Sequence, residues 1–150
     1  MSKRPSRAEK FLSPEEKKRV ESAIRVTEEK TSAEIKLVLV SHCWGDIWDK
    51  AGAIFRKRGL HRTQERNAVL ILLVTANREL LIYGDEGIYQ KVAQPLWDDV
   101  KDEMVREFKK DDFVAGLTLG VERIGEKLSE FFPPRADDIN EIPDTVVHEA

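Results

Sequence analysis

Six consecutive apolar residues, Val69-Leu-Ile-Leu-Leu-Val74, follow Asn67-Ala68, and a second apolar run, Leu80 to Tyr83, comes after the short polar break Thr75 to Arg78. A run this short between turn formers suits a strand buried on both faces rather than a helix. The break is short enough for a tight connection, so the two runs predict an antiparallel hairpin that ends in the acidic, glycine-bracketed loop Gly84-Asp-Glu-Gly87. Glu34-Ile-Lys-Leu-Val-Leu-Val40 alternates at first and is then wholly apolar, as a strand does when it enters a sheet from a wet edge and becomes covered on both sides.

The rest of the chain repeats at helical spacing. Ser13-Pro-Glu-Glu16 is a helix start in which Ser13 caps a free amide, Pro14 sits where no donor is needed and Glu16 completes a capping box. Val20, Ala23, Ile24 and Thr27 follow, and the helix is expected to end near Lys30. A second helix over roughly 47–58 buries Ile47, Ala51, Ile54 and Phe55 and stops at Gly59, with Arg56, Lys57 and Arg58 against its negative end. Strand, helix, strand in that order predicts that 35–40 and 69–74 lie parallel through a right-handed crossover.

After a helical turn over 88–93, Pro95 opens a long helix with Leu96, Trp97, Val100, Met104, Val105 and Phe108 on one stripe. Asp111 or Asp112 caps the last helix, whose Phe113, Leu117, Val121, Ile124, Leu128 and Phe131 keep register. Gly116 and Gly120 are read there as allowing close packing on the sheet. The expected fold is a three-layer α/β/α sandwich: a small mixed sheet with a central β-hairpin and helices on both faces. Residues 1–10 form a flexible basic N-terminus in this reading, 11–132 the domain and 133–150 an acidic tail. Ile139, Ile142, Val146 and Val147 could anchor that tail, so docking stands beside disorder.

Composition narrows the function classes. One domain is expected from 150 residues, and a net charge of −3 gives general nucleic-acid affinity no support. A single cysteine, Cys43, excludes an internal disulfide framework and a cysteine cluster for zinc. No apolar run has the length of a membrane span, and the polar N-terminus has no signal-peptide core, so a cytoplasmic protein is expected.

Candidate chemistry is sparse. A cysteine phosphatase needs an arginine six residues after its cysteine, and Asp49 stands there; Cys43 is read as packing. No pair of carboxylates one residue apart follows a strand, and no glycine-rich phosphate loop occurs, since Asp85 and Glu86 stand where bare amides would be needed. His42, His61 and His148 lack metal spacing. Antiparallel pairing of the hairpin brings the Asp85-Glu86 loop beside Glu65, Arg66 and Asn67. That predicts one polar cluster of His61, Thr63, Arg66, Asn67 and Asp85, with Asp46 at a distance. Oxygens of Asp85, Glu86 and Asn67 could hold Ca²⁺ or Mg²⁺ weakly. Alternatively Asp85 pairs with Arg66 or caps the next helical turn.

The element order resembles the TPM domain family, named for a thylakoid-lumen acid phosphatase and its relatives in photosystem II repair and membrane-receptor support. The resemblance covers about residues 11–132. Leu12-Ser-Pro-Glu-Glu, Thr31-Ser-Ala-Glu-Ile, Arg66-Asn-Ala-Val-Leu-Ile-Leu and Asp112-Phe-Val-Ala-Gly-Leu117 carry it. Leu60-His-Arg-Thr-Gln-Glu-Arg-Asn67, Gly84-Asp-Glu-Gly-Ile88 and Asp137-Asp-Ile-Asn-Glu-Ile-Pro-Asp144 look like a short branch without signal peptide or membrane anchor. Where the family has Asp-Asn-Gly before the buried strand this chain has Arg66-Asn67-Ala68, and its Gly84 loop is one residue longer than the usual Gly-Tyr-Gly-Leu. The resemblance implies a weak, Ca²⁺- or Mg²⁺-dependent phosphomonoesterase of acid-phosphatase type without organic cofactor. Metal would sit at Asp85, Glu86 and Asn67, and His61 and Arg66 would bind the phosphate oxygens. The alternative is a non-catalytic adaptor in assembly or repair, binding a protein partner through its tail or through the basic surface from Arg56 to Arg66.

Overall fold

A computed structural model describes residues 4–135 and 142–149. Among these the chain forms α1 (Ala8–Phe11), α2 (Pro14–Glu28), β1 (Glu34–Val40), α3 (Ile47–Lys57), β2 (Ala68–Val74), β3 (Glu79–Gly84), α4 (Glu86–Tyr89), α5 (Gln94–Lys109), α6 (Phe113–Phe131) and β4 (Val147–Glu149). A 3₁₀ turn, Leu60–Arg62, lies between α3 and β2. The four strands make one mixed sheet in the order β3-β2-β1-β4, with β1 parallel to both β2 and β4 and the β2–β3 hairpin antiparallel. β2 is central as expected, whereas β3 is an edge of the sheet.

Alternation along the strands divides the core into two layers. Ile35, Leu37, Leu39, Val69, Ile71, Leu73, Leu80 and Ile82 face α1, α2, α5 and α6. Val38, Val40, Leu70, Leu72, Val74 and Leu81 face α3, with Ala51, Ile54 and Phe55 packed on them. Both faces of β1 and β2 are therefore covered, which is why β2 runs apolar without a break and β1 does so from Leu37 on. Among the described residues no helix is long and apolar enough to cross a membrane.

The helix boundaries follow the local chemistry. Ser13 and Glu16 form the reciprocal capping box, Asp46 caps α3, and Asp112 rather than Asp111 caps α6 by accepting from the Ala115 amide at 3.0 Å. Gly59 takes φ +69°, the left-handed conformation that ends α3. Gly116 and Gly120 pack on α5, not on the sheet. A Cβ at Gly120 would stand 2.3 Å from Met104 Sδ, and one at Gly116 would stand 2.5 Å from the Phe108 ring. Phe131, expected on the buried stripe of α6, is exposed; Phe132 turns inward instead, where the chain leaves the helix.

The structure departs from the expected flexible N-terminus and wet strand edge, and of the two alternatives for the tail it shows docking over 142–149. Pro5, Ser6, Arg7 and Lys10 stay exposed, while Ala8 and Phe11 are buried and Arg4 grips the Glu16 carboxylate at 2.6 and 2.7 Å. That bond, more than any other influence, lowers Glu16 to a pKa of about 2. The segment 142–149 is docked, with Ile142 and Val146 buried and β4 added beside β1; the proposed anchor Ile139 lies outside the described residues. The docked segment also removes the wet edge expected for β1. Lys36 is 5% exposed, and its Nζ donates to the Pro143 and Thr145 carbonyls at 3.0 and 2.7 Å and to Thr145 Oγ1 at 3.2 Å.

Candidate functional site

The hairpin register sets Ala68 opposite Asp85, and the Asp85 amide donates to the Ala68 carbonyl at 3.0 Å. This pairing carries the loop after β3 back to the residues that precede β2. Arg66, at φ +52°, then turns its guanidinium onto the loop. Its Nε and Nη2 donate to Asp85 Oδ2 and Oδ1 at 2.7 and 2.8 Å, and Nη1 donates to Glu86 Oε1 at 3.1 Å. Asp85 Oδ1 also accepts from the Glu86 amide at 2.8 Å, so the same carboxylate caps α4. Both alternatives weighed for Asp85 thus occur together, and the bidentate geometry is the strong form of such a pair. The bond from Asp85 raises the Arg66 guanidinium further above its ordinary pKa.

Gly87 locks the corner. Its amide donates to the Arg66 carbonyl at 3.0 Å, and a Cβ there would lie 2.5 Å from the Glu65 carbonyl oxygen and 2.6 Å from that of Arg66. The close approach of two backbones, rather than any unusual dihedral angle, is what requires glycine.

The expected polar cluster is divided by this geometry. His61, Arg66, Asp85 and Glu86 line one hollow of about 280 Å³, with Arg56, Tyr83 and Tyr89. Thr63 and Asn67 do not line it. Thr63 is buried and accepts from the Asn67 amide at 3.1 Å, while Asn67 Nδ2 reaches the Ser32 carbonyl at 3.2 Å. Asn67 Oδ1 and His61 Nδ1 are buried with no hydrogen-bond partner among the described residues. Asp46 caps α3 through the Trp48 amide at 2.6 Å, away from this corner, as expected. Cys43 is half-buried, and its thiol contacts the Gly45 carbonyl at 3.7 Å. Sequence reasoning missed the aromatic wall of the hollow. Phe55 and Tyr83 stand 5.2 Å apart by ring centroid, and the signal was only the position of Tyr83 at the end of an alternating strand.

As arranged, these residues do not fit a divalent cation. Both Asp85 oxygens accept hydrogen bonds from Arg66, one Glu86 oxygen does the same, and Asn67 is turned into the interior. Among the described residues no group of three or more His, Cys, Asp or Glu side chains is placed to hold a metal. The positive charge at this corner is the guanidinium.

A second carboxylate corner escaped the sequence reading. Glu28, at the end of α2, accepts from the Ile35 amide at 2.7 Å and hydrogen-bonds Asp144 of the docked C-terminal segment. Burial first, and then Asp144, pushes the Glu28 carboxyl up to about 11. Nearby, Glu21 Oε2 accepts from the Val146 amide at 2.8 Å.

The family model described as the TPM domain matches residues 6–127. The NMR structure of the BA42 protein from the psychrophilic bacterium Bizionia argentinensis is 35% identical, with a TM-score of 0.90 over 97% of this chain and 100% of that one. The N-terminal domain of a P. gingivalis protein is 18% identical, with a TM-score of 0.67 over 81% of this chain and 78% of that one. The N-terminal domain of the cg2496 protein of Corynebacterium glutamicum is 12% identical, with a TM-score of 0.58 over 92% of this chain and 81% of that one. These last two share the fold alone. No curated protein matches the chain. From the matched span and the BA42 likeness together, the chain belongs to the TPM domain family.

Proposed function

We propose that this TPM domain works as a non-catalytic adaptor that binds a protein partner, in place of the metal-dependent phosphomonoester hydrolysis its resemblance also implied. One observation carries the reading: Arg66 and the Glu86 amide take up the Asp85 carboxylate, the group best placed to hold Mg²⁺ or Ca²⁺. The other parts a phosphatase would need lend no support to hydrolysis. Among the described residues the Cys43 thiol hydrogen-bonds only the Gly45 carbonyl, and the hollow that holds His61 contains no hydroxyl nucleophile besides tyrosine phenols. The tail does not act as a loose fishing segment over 142–149, because it is folded onto β1 and Glu149 is tied to Lys57 and Arg58 at 3.1 and 3.0 Å. Partner binding in this reading falls to the folded surface.

The test pairs two measurements on the purified full chain. Turnover of a generic aryl phosphate with Mg²⁺ or Ca²⁺ should stay at the uncatalysed rate, and titration of either ion should leave the amide NMR signals of 85–87 in place. Turnover that disappears in Asp85→Ala, or saturable shifts at those amides, would replace this reading with the hydrolytic one.

A further inference from the structure

The hollow beside the Asp85 loop holds groups that its internal bonds leave unused. Arg66 is committed to Asp85 and Glu86. Arg56 of α3 is exposed, and neither its guanidinium nor the hydroxyls of Tyr83 and Tyr89 have a hydrogen-bond partner among the described residues. Gly52 brings two of these donors together. A Cβ there would lie 3.4 Å from Tyr83 Oη and 3.7 Å from Arg56 Nη2, so the phenol and the guanidinium stand over the same bare stretch of α3. Burial, and then the neighbouring Tyr83, raises the Tyr89 phenol, which therefore keeps its proton as a further donor at neutral pH.

Charge and rings narrow what these donors can meet. The carboxylates that line the hollow among the described residues are Asp85 and Glu86, and both are bonded to Arg66. Arg56 is left as one cation without a counter-charge. A carboxylate carries one negative charge and only accepts hydrogen bonds, which matches one cation and a set of hydroxyl donors. A phosphate dianion would set a second negative charge against Asp85 and Glu86 with no cation to meet it. Around the donors the surface is aromatic and open. Trp48 packs against Tyr83 at 6.1 Å by ring centroid, and Trp48 and Tyr89 are 42% and 45% exposed. Tryptophan, tyrosine and arginine are the residue types that dominate binding energy at protein interfaces.

Resting on the adaptor reading above, we infer that this hollow takes a single acidic side chain of the protein partner, flanked in the partner by apolar residues. Its carboxylate lies between the Arg56 guanidinium and the Tyr83 hydroxyl, and the apolar neighbours cover the rings of Trp48 and Tyr89. The pair of carboxylates at 85–86 sets the selectivity. One negative charge finds Arg56, whereas a run of acidic residues brings further charge against Asp85 and Glu86 and is rejected. The site therefore reads one acid in an apolar setting, not acidity in general.

The probe is a phage-displayed library of random peptides selected against the full chain, with the enriched peptides synthesised and titrated into isotope-labelled protein. Enriched peptides should share one Asp or Glu between apolar residues and should shift the amides of Gly52 and Tyr83 and the side chain of Arg56. Replacing that acid by its amide should weaken binding at least about tenfold, the worth of a charge-assisted hydrogen bond. Adding a second acid beside the first should weaken it as well. Tyr83→Phe keeps the ring and removes the hydroxyl; it should weaken the acidic peptide about three- to tenfold and leave the amide peptide unchanged. Arg56→Gln should act in the same direction and more strongly. The acid-to-amide comparison uses unaltered protein, so it stands even if a variant folds poorly. Peptides whose shifts map elsewhere, or binding indifferent to the amide replacement, would overturn the hollow while leaving the adaptor reading intact. Tighter binding of polyacidic peptides, or of inorganic phosphate at the same amides, would overturn the proposed selectivity and with it the proposal. A selection that enriches nothing would overturn the hollow, and if metal-dependent phosphate turnover accompanies it, the adaptor reading falls too.

Discussion

Two carboxylates in this protein, Asp85 buried and Glu28 half-buried, are accommodated in opposite ways. Asp85 is met by Arg66 with two parallel hydrogen bonds. Glu28 has no such cation. It lies between the Ile35 amide and Asp144, with Glu34 close by, and it holds its proton far above the ordinary carboxylate range. Lys36, the cation of that corner, turns instead to the Pro143 and Thr145 oxygens, and burial lowers its own pKa. A carboxylate taken out of water must be paired or neutralised. The first corner uses a side chain from a neighbouring loop, and the second uses a proton shared with the far end of the chain. The first corner is therefore held by an ion pair, and the second is expected to tie the docking of β4 to protonation.

The largest effect should come from the first corner and should owe nothing to charge. In Gly87→Ala the new Cβ meets two carbonyl oxygens of the 65–66 backbone, neither of which can move without breaking the Arg66–Gly87 bond. Overpacking of this kind should cost about 3 kcal/mol in urea denaturation, with unchanged m-value. A loss well under ~1 kcal/mol would mean that the corner yields easily, and the contrast between a rigid and a titratable corner would fail.

Next comes the anchor of the second corner. Lys36→Met keeps the apolar stem and removes the ammonium that three oxygens of 143–145 accept from. Leaving those acceptors unsatisfied should cost about 2 kcal/mol. Hydrogen exchange at 147–149 should rise more than exchange in β2, because β4 contains only three residues and pairs with β1 alone. Equal acceleration in both strands would show that the C-terminal segment does not open separately.

Glu28 sharpens the same contrast through pH. Its folded pKa of about 11 lies above the ordinary 4.5, so between those values the folded chain holds a proton that the unfolded chain has released. Its contribution is complete below about 4.5 and is lost progressively as pH rises towards about 11. Glu28→Gln stays neutral at every pH, keeps an acceptor for Ile35 and offers Asp144 a donor. The variant should match the parent near pH 5 and exceed it by on the order of 1 kcal/mol near pH 8 in chemical denaturation. A difference independent of pH would show that Glu28 is ionised in the folded protein.

Much of the first corner could be read from the sequence, and little of the second. The hairpin between two apolar runs determines that residue 85 returns to residue 68, so proximity of Asp85 and Arg66 followed from strand pairing alone. Ser13, Asp112 and Gly59 act on their immediate neighbours, and local chemistry of this kind is legible. Asn67 was misplaced because its position before β2 does not reveal which way its amide turns. The docking of 142–149 depends on Glu28, Lys36 and Glu21, partners from the opposite end of the chain that no periodicity links to it. Its acidic residues look solvated in sequence, yet Asp144 and Glu149 are bound. The misreading of Phe131 has the same origin: helical spacing continues through it, but the chain turns one residue later and buries Phe132.

The smallest expected effect bears most directly on function. At φ +52°, Arg66 occupies a left-handed conformation that asparagine tolerates well. Arg66→Asn therefore removes the guanidinium without adding backbone strain. It leaves Asp85 capping α4 through the Glu86 amide by Oδ1, with its Oδ2 released and Glu86 lining the same hollow. If the guanidinium is what stands in for a cation here, the variant should acquire weak, millimolar Ca²⁺ or Mg²⁺ shifts at the 85–87 amides that the parent lacks, with the fold otherwise preserved. Shifts of equal size in both proteins would mean that metal reaches Asp85 past Arg66. In that event the difference between the two corners would lie in accessibility rather than in how each charge is met.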